Sequence, residues 1–271
     1  MPPIAQSAAT LFLVWGLYLL LKSVFFYPYR IKTVNIKIKN RSGFPLPDGF
    51  TILHLSDLHT REYGKKQKLI AAALGKLPPA DLAVVTGDIA EEDLFVNNNC
   101  EIFSSINSKG GIFCVRGNND IRLDETLLKK FLSGYGARLL INENAVFDAF
   151  GAKIIITGVD DPHKKKDDLQ KAKPAGKAAF SLLLAHSPDI LLDPGFKKFD
   201  LILSGHTHNG QIRLPLLGVI FAHSRVGRKY VYGLHTVEGV PLYISGGLGE
   251  SVLKMRLYNY PELALITIEN R

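Results

Sequence analysis

The sequence predicts an α/β domain with substantial parallel strand pairing, preceded by a hydrophobic membrane-anchor helix. Three observations predict it. Short runs of Ile, Val and Leu recur at 50–55, 82–85, 112–115, 154–156, 181–184, 201–203, 243–244 and 263–268, as expected of strands buried on both faces. Helical apolar spacing fills several of the gaps, and strands alternating with helices favour a parallel sheet. Residues 8–27 form a nearly uncharged apolar stretch of 20 residues, long enough to cross the hydrocarbon core as a helix.

The anchor comes first. Lys22 is the only charge in residues 8–27, and no Lys or Arg precedes them. Without a basic start or a clear small-residue cleavage site, a removed secretory signal is the weaker reading. Lys22, Arg30, Lys32, Lys37, Lys39 and Arg41 gather at the far end, so the positive-inside rule puts the following domain in the cytoplasm. A single-pass helix and one lying in the interface both fit, since Trp15 falls mid-helix while Tyr18, Tyr27 and Tyr29 suit an interface. Residues 1–30 are thus expected to be the anchor and 31–271 one catalytic domain, at a cytoplasmic (inner) membrane.

Val34, Ile36 and Ile38 alternate with polar residues and predict a half-exposed strand. Pro45, Pro47 and Gly49 mark the turn into the next strand. Leu69, Ile70, Ala73 and Leu77 predict a helix over 66–77, and another is expected over 125–132. The chain has 271 residues without repeat or low-complexity run, which excludes solenoid and disordered classes. Its charge of +8, from 33 basic against 25 acidic residues, favours anionic partners without choosing among them. Cys100 and Cys114 offer no disulfide framework.

Polar clusters at the ends of the apolar runs carry the chemistry. Asp57-Leu58-His59, Thr86-Gly87-Asp88, Gly117-Asn118-Asn119-Asp120, His186-Ser187-Pro188 and Gly205-His206-Thr207-His208 each follow one run. In α/β sheets, groups beyond the carboxyl ends of strands converge on one site. Carboxylates, imidazoles and an amide oxygen suit Mn, Fe or Zn. Two such ions, with a shared carboxylate such as Asp88, can activate a water and steady both oxygens of phosphoryl transfer. Asp-x-His or Gly-Asp alone would be an ordinary turn or cap. His-x-His is stronger, because alternate residues of an extended segment face one way. Glycines 87, 117 and 205 are expected to allow sharp turns. His54, inside a strand, reads as core or as a neighbour behind the ligands rather than a ligand, and His163 as a residue of an exposed charged loop.

Taken together, these motifs resemble the calcineurin-like metallophosphoesterase superfamily over residues 50–271. The resemblance implies two mixed β-sheets packed face to face and flanked by helices, a four-layer αββα fold, with a dinuclear centre at the strand ends. It implies Asp57, His59 and His208 as ligands of one ion, Asn118, His186 and His206 as ligands of the other, and Asp88 as the bridge. Ala185-His186-Ser187-Pro188-Asp189, the run from Gly205 to Pro215, Tyr29-Arg30 and Gly247-Leu248-Gly249 further resemble the YkuE/LpxG-like membrane-associated branch. That branch includes a UDP-2,3-diacylglucosamine diphosphatase of lipid A synthesis.

One position departs from the family pattern. The usual motif is Gly-Asn-His-Asp, and Asn119 stands where its histidine would. An amide can donate a hydrogen bond but cannot serve as a general acid. This implies a good leaving group or another acid nearby, with Asp120 orienting Asn119 or capping a helix. Asn119, Asp120 and Asp88 are the candidate catalytic residues. Arg213, Arg225 and Arg228 are candidates for substrate phosphates, beside an apolar stretch, 214–222, that reads as a loop and strand or as the wall of a lipid channel.

The expected activity is hydrolysis of phosphoester or pyrophosphate bonds with two divalent ions, Mn first. The expected substrate is a phosphorylated, lipid-linked nucleotide sugar at the membrane, UDP-2,3-diacylglucosamine being the best specific reading. Neither a specific nucleic acid nor a protein partner is expected. A broad phosphodiesterase is the alternative, as is an inactive metal-binding membrane module, which Asn119 favours and the complete ligand set opposes. A metallo-β-lactamase-like enzyme is disfavoured by the lack of a His-x-His-x-Asp-His run.

Overall fold

The computed structural model describes residues 3–149, 151–173, 178–215, 217–219 and 221–270. Helix α1 (Pro3–Phe25) leads. Then follow β1 (Lys32–Lys39), β2 (Phe50–Leu55), α2 (Lys65–Leu74), β3 (Leu82–Thr86), α3 (Cys100–Ser104), β4 (Ile112–Val115), α4 (Glu125–Ser133) and β5 (Ala137–Leu139). The second half contains β6 (Glu143–Ala149), β7 (Ala152–Gly158), β8 (Phe180–Leu184), β9 (Leu201–Ser204) and the hairpin of β10 (Arg213–Leu214) with β11 (Gly218–Val219). It ends with β12 (Gly233–Val237), β13 (Val240–Ile244) and β14 (Glu262–Glu269).

The strands form two six-stranded mixed sheets, in the orders β1-β14-β2-β3-β4-β5 and β12-β13-β9-β8-β7-β6. β2, β3, β4 and β5 run parallel in the first, and β7, β8, β9 and β13 in the second. Between the sheets lies the main core, where Ile52, Leu82, Val84 and Val115 meet Ile156, Leu182, Leu184, Leu203 and Tyr243. Burying each aliphatic side chain here is worth about 1.5–3 kcal/mol. β1 alternates as its sequence predicts: Ile36 and Ile38 face this core while Lys37 and Lys39 face solvent.

The opposite face of the first sheet is covered by α-helices. Ile70 and Leu74 of α2, Ile102 and Phe103 of α3, and Leu128, Phe131 and Leu132 of α4 pack on Leu53, Val85 and Cys114. α4 starts where Asp124 accepts hydrogen bonds from the Thr126 and Leu127 amides at 2.7 and 3.0 Å, an N-cap worth about 1 kcal/mol. The outer face of the second sheet is covered differently. Short 3₁₀ turns at Pro188–Leu192 and Pro194–Lys198 bring Ile190 and Phe196 onto Leu183, Ile202 and Leu242. Pro194 stops the first turn from continuing into a longer helix, because a proline in a helix interior removes a hydrogen bond and clashes with the preceding turn.

Residues Thr10–Tyr29 are long and apolar enough to cross a membrane, and 17% of the window is buried. Leu11, Phe12, Leu13, Val14 and Leu17 are 55–71% exposed, so α1 is no core helix of this fold. Its last turns nevertheless belong to the domain. Ser23 accepts a backbone hydrogen bond from Arg256 at 2.9 Å. Leu19 and Tyr27 are buried with Leu257, Ile212, Leu214 and Tyr260, and the Tyr27 ring centroid lies 5.1 Å from that of Tyr260. Residue 30 is therefore no physical seam. We expect removal of residues 1–17 to leave the thermal midpoint in detergent unchanged. Removal of 1–28 should destabilise the domain by about 3 kcal/mol, the worth of two buried side chains. Equal midpoints would reduce the helix to a tether.

Candidate metal centre

Parallel pairing aligns the carboxyl ends of the ligand-bearing strands. Leu55 is in register with Val85, Thr86 with Val115, and Leu184 with Leu203. Each strand then releases its polar cluster at one edge of the two-sheet sandwich. Hydrogen bonds join the sheets there. The His186 Nδ1–H donates to the Thr86 carbonyl at 2.7 Å, and the His206 amide donates to the Asp57 carboxylate at 3.0 Å.

The chain reaches this arrangement by unusual backbone geometry. Asp57, His59, Asp88, His206 and His208 have φ of 53°, 45°, 52°, 70° and 50°. Left-handed backbone is uncommon in residues with a Cβ, and each instance costs about 1–3 kcal/mol unless its surroundings enforce it. His206 and His208 therefore converge for a reason other than the extended segment that their spacing predicts. Thr207, between them, is right-handed (φ −81°, ψ −14°), so a tight turn aims both rings. Of the three glycines expected to permit turns, Gly87 has a positive φ, 85°. Gly117 and Gly205 serve close approach instead: a Cβ on Gly117 would lie 2.1 Å from Asp88 Oδ1, and one on Gly205 would lie 2.3 Å from Asp57 Oδ2.

All seven predicted ligands meet. His59 Nε2 lies 3.3 Å and His186 Nε2 3.5 Å from Asp88 Oδ2, which sits between them. Asp57 Oδ1 lies 3.4 Å from His208 Nε2 and 3.9 Å from His59 Nε2. Asn118 Oδ1 and His206 Nδ1 lie 3.3 and 3.2 Å from His186 Nε2. Asp57, His59 and His208 form one potential ligand group, and Asp57, Asp88 and His186 another.

The donors fit cations. Asp57 and Asp88 are 0% and 2% exposed, and two buried carboxylates side by side need positive charge between them. Burial opposes the charge on Asp88, but His186 and His59 hold its carboxylate far below the usual range. Burial likewise opposes charge on His59 and His186, yet Asp88 raises both. A divalent ion among these groups would supply the positive charge that the carboxylates favour. Burial, then the neighbouring His186, pushes His206 down to about 3. Burial, then His59, lowers His208 as well. Both shifts favour the neutral form that ligates. Among the described residues, His206 Nε2 and His208 Nδ1 are buried without a hydrogen-bond partner. Bound ions would supply Lewis-acid polarisation of a phosphoryl oxygen and a water activated at neutral pH.

The supporting residues were mostly invisible in the sequence. His59 Nδ1–H donates to Glu91 Oε1 at 2.5 Å, which fixes the tautomer with Nε2 facing the centre. Buried Arg256 donates to the Gly246, Gly247 and Gly249 carbonyls, and this loop donates from Leu248 to Ser56 at 3.0 Å and from Gly249 to Asp57 at 2.5 Å. Asp120 accepts from the Ile89 and Gly117 amides at 2.8 and 2.9 Å. It clamps two ligand loops rather than orienting Asn119. That task falls to Arg122, whose Nη2 donates to Asn119 Oδ1, while Asn119 Nδ2 donates to Asp88 Oδ2 at 3.0 Å. His54 is a buried neighbour, 2.8 Å from Thr86 Oγ1, and burial pushes its pKa down to about 3.

A cavity of about 490 Å³ opens from Asp88, Asn118, His206 and His208 past Phe221, His223, Val252 and Leu253. His163 lines it too, with its ring centroid 4.5 Å from that of His206, rather than standing in solvent. Arg213, Arg225 and Arg228 are not among the lining residues. Arg225 is committed to Asp189, with Nε 3.2 Å from Oδ2, and to the Pro162 carbonyl. Arg213 donates to Asn209, and Arg228 is exposed. Within the stretch 214–222, residues 216 and 220 lie outside the described residues.

Two apposed mixed sheets with an Asp, His and Asn cluster at their carboxyl edge define a metal-dependent hydrolase of the dinuclear kind. The chain belongs to the calcineurin-like phosphoesterase family, whose model matches residues 50–210. It is 31% identical over 254 residues to the metallophosphoesterase YkuE of Bacillus subtilis, covering 90% of this chain and 87% of that protein. It is 29% identical over 240 residues to YkoQ of the same organism (86% and 88% covered). It is also 30% identical over 226 residues to the phosphodiesterase YaeI of Escherichia coli (81% and 82% covered). The protein is a metal-dependent phosphoesterase.

Glu91→Gln should weaken metal binding by about 10–100-fold in titration calorimetry, without moving the thermal midpoint of the metal-free protein. Unchanged affinity would deny Glu91 its orienting role. Gly117→Ala should displace Asp88 and lower turnover by about a hundredfold or more; wild-type rates would show that the loop yields freely.

Proposed function

We propose that this protein hydrolyses phosphodiester or pyrophosphate bonds of amphiphilic substrates at a cytoplasmic membrane, using two Mn ions, and that its substrate is UDP-2,3-diacylglucosamine. The observation that carries this reading is the apolar rim of the cavity at the metal centre. Phe221, Val252 and Leu253 are 73%, 82% and 53% exposed, on the cavity that Asp88 and Asn118 also line. Exposed large apolar side chains grouped beside a polar centre favour a ligand with an acyl portion. Ile212 lines the same cavity and packs against the Leu19–Tyr27 cluster of the anchor, which supports substrate entry from the membrane side. The basic residues after α1 support a cytoplasmic orientation.

Asn119 agrees with this choice. Its amide is held between Arg122 and Asp88 and cannot give a proton to a departing alkoxide. A pyrophosphate releases a phosphate monoester, which needs little protonation. A second reading, a broad phosphodiesterase, is favoured by the likeness to YaeI, whose name is that of a phosphodiesterase.

With Mn, the purified chain should turn over UDP-2,3-diacylglucosamine far faster than bis(p-nitrophenyl) phosphate, and Asp88→Ala should abolish both reactions. Val252→Asp with Leu253→Asp should raise KM for the lipid substrate by about tenfold or more, since one buried aliphatic side chain is worth about 1.5–3 kcal/mol. Equal sensitivity of both substrates would favour the broad phosphodiesterase. No turnover of any diester or pyrophosphate would leave an inactive metal-binding module.

A further inference from the structure

The metal centre has a second flank. The apolar cavity lies against His206 and His208, whereas a smaller one, about 100 Å³, lies against His59. Residues 249–254 form the ridge between them. Ser251, Val252 and Leu253 line the apolar side, and Gly249, Glu250 and Lys254 line the other.

The chemistry of this second cavity is cationic. Arg61, Lys65, Lys66 and Lys254 line it against Glu62 and Glu250, a formal balance of +2 (four cations, two carboxylates). Arg61 Nη2 also lies 3.5 Å from Glu91 Oε1, outside the cavity lining, so the surplus charge rests on Lys65 and on pairs that are shared or exposed. Glu250 is shared by Lys66 and by the buried Arg256, whose Nε lies 3.3 Å from Oε1. The Lys254–Glu62 pair is 3.4 Å apart with both side chains more than half exposed, so solvent weakens it. Lys65 stands 5.1 Å from the Tyr29 ring centroid, with no carboxylate in ion-pair contact among the described residues. Burial pushes Lys66 down to about 8, a cost that an anion in the cavity would relieve.

Pro28 and Tyr29, just beyond α1, complete the wall. The cavity therefore opens at the end of the apolar helix, at the depth of lipid phosphates if the helix enters a bilayer. Phosphorus in a diester or pyrophosphate carries two arms, and the ridge separates two unlike spaces on either side of the ions.

We infer that the cavity of Arg61, Lys65, Lys66 and Lys254 is a subsite for a phosphate group other than the one being cleaved. This deepens the proposed function and rests on it for the placement of the substrate's arms. The phosphate can come from the substrate's second arm or from a neighbouring anionic phospholipid. In both cases the lysines and arginine recognise it as a charged acceptor of hydrogen bonds.

The test uses the full chain with Mn in phosphatidylcholine nanodiscs. Two substrates are compared: p-nitrophenyl thymidine 5′-phosphate, and the same ester carrying a 3′-phosphate. KM should be about tenfold lower for the phosphorylated substrate, the size of one charge-assisted contact. Lys65→Glu with Lys254→Glu should erase that preference, Lys65→Arg with Lys254→Arg should retain it, and surface reversals Lys76→Glu with Lys130→Glu should leave it intact. A preference that persists when phosphatidylglycerol is added identifies the substrate's arm as the source. One that disappears with phosphatidylglycerol identifies the headgroup as the occupant. The absence of any preference, or its survival through the Lys65/Lys254 reversal, overturns the subsite. If neither ester is cleaved, the phosphoesterase reading fails separately. Calorimetric titration of thymidine 3′,5′-bisphosphate against thymidine 5′-monophosphate then reads the same preference without turnover. Tighter binding of the bisphosphate, lost in the Lys65/Lys254 reversal, supports the subsite, and equal affinities overturn it.

Discussion

Two carboxylates, Asp57 and Asp88, sit side by side away from water, and the site is organised around the positive charge they require. Each is 2% exposed or less, and in such surroundings an uncompensated pair would be severely destabilising. Four histidines and Asn118 surround them; burial opposes charge on His59 and His186, and Asp88 raises the pKa of both. The demand for charge between the carboxylates makes this a metal centre, and it gives the protein a built-in competition between protons and cations.

That electrostatic demand is met through backbone strain. Five ligand residues adopt left-handed φ, a cost tolerated because neighbouring loops enforce it. Arg256 ties down the 246–249 loop, and Leu248 and Gly249 hold the carbonyls of Ser56 and Asp57. Asp120 joins the loops of Ile89 and Gly117. Glycines at 117 and 205 leave room for the carboxylates that a side chain would displace. The ions would thus meet a centre already shaped by protein–protein hydrogen bonds.

The N-terminal apolar helix and the site share supporting residues. Arg256 donates its backbone N–H to Ser23 of α1 and its guanidinium to the loop beneath Asp57. Tyr27, Leu257 and Tyr260 join the helix to the segment that continues from the ridge between the two cavities. The seating of this apolar helix and the shape of the surface beside the metal centre therefore depend on a common set of contacts, and local opening of one would be felt by the other.

The fold class, most of the buried strands and the gathering of the seven polar residues at strand ends were legible in the sequence, because buried strands leave apolar runs bounded by polar interruptions. Missed elements were those with weak local signals. β5 has three residues, the edge strands β6 and β12 are only partly buried and carry no continuous apolar run, and the cover of the second sheet consists of proline-started turns without helical periodicity. Glu91, Arg122 and Arg256 could not be singled out, because each acts through a partner 3 to 32 residues away or through carbonyl oxygens that carry no sequence signal. The sequence by itself determined which groups could bind cations and that they would follow buried strands. Tertiary structure alone decided their orientation, since left-handed backbone, close glycine contacts and the division into an apolar and a cationic cavity arise only when distant loops are pressed together.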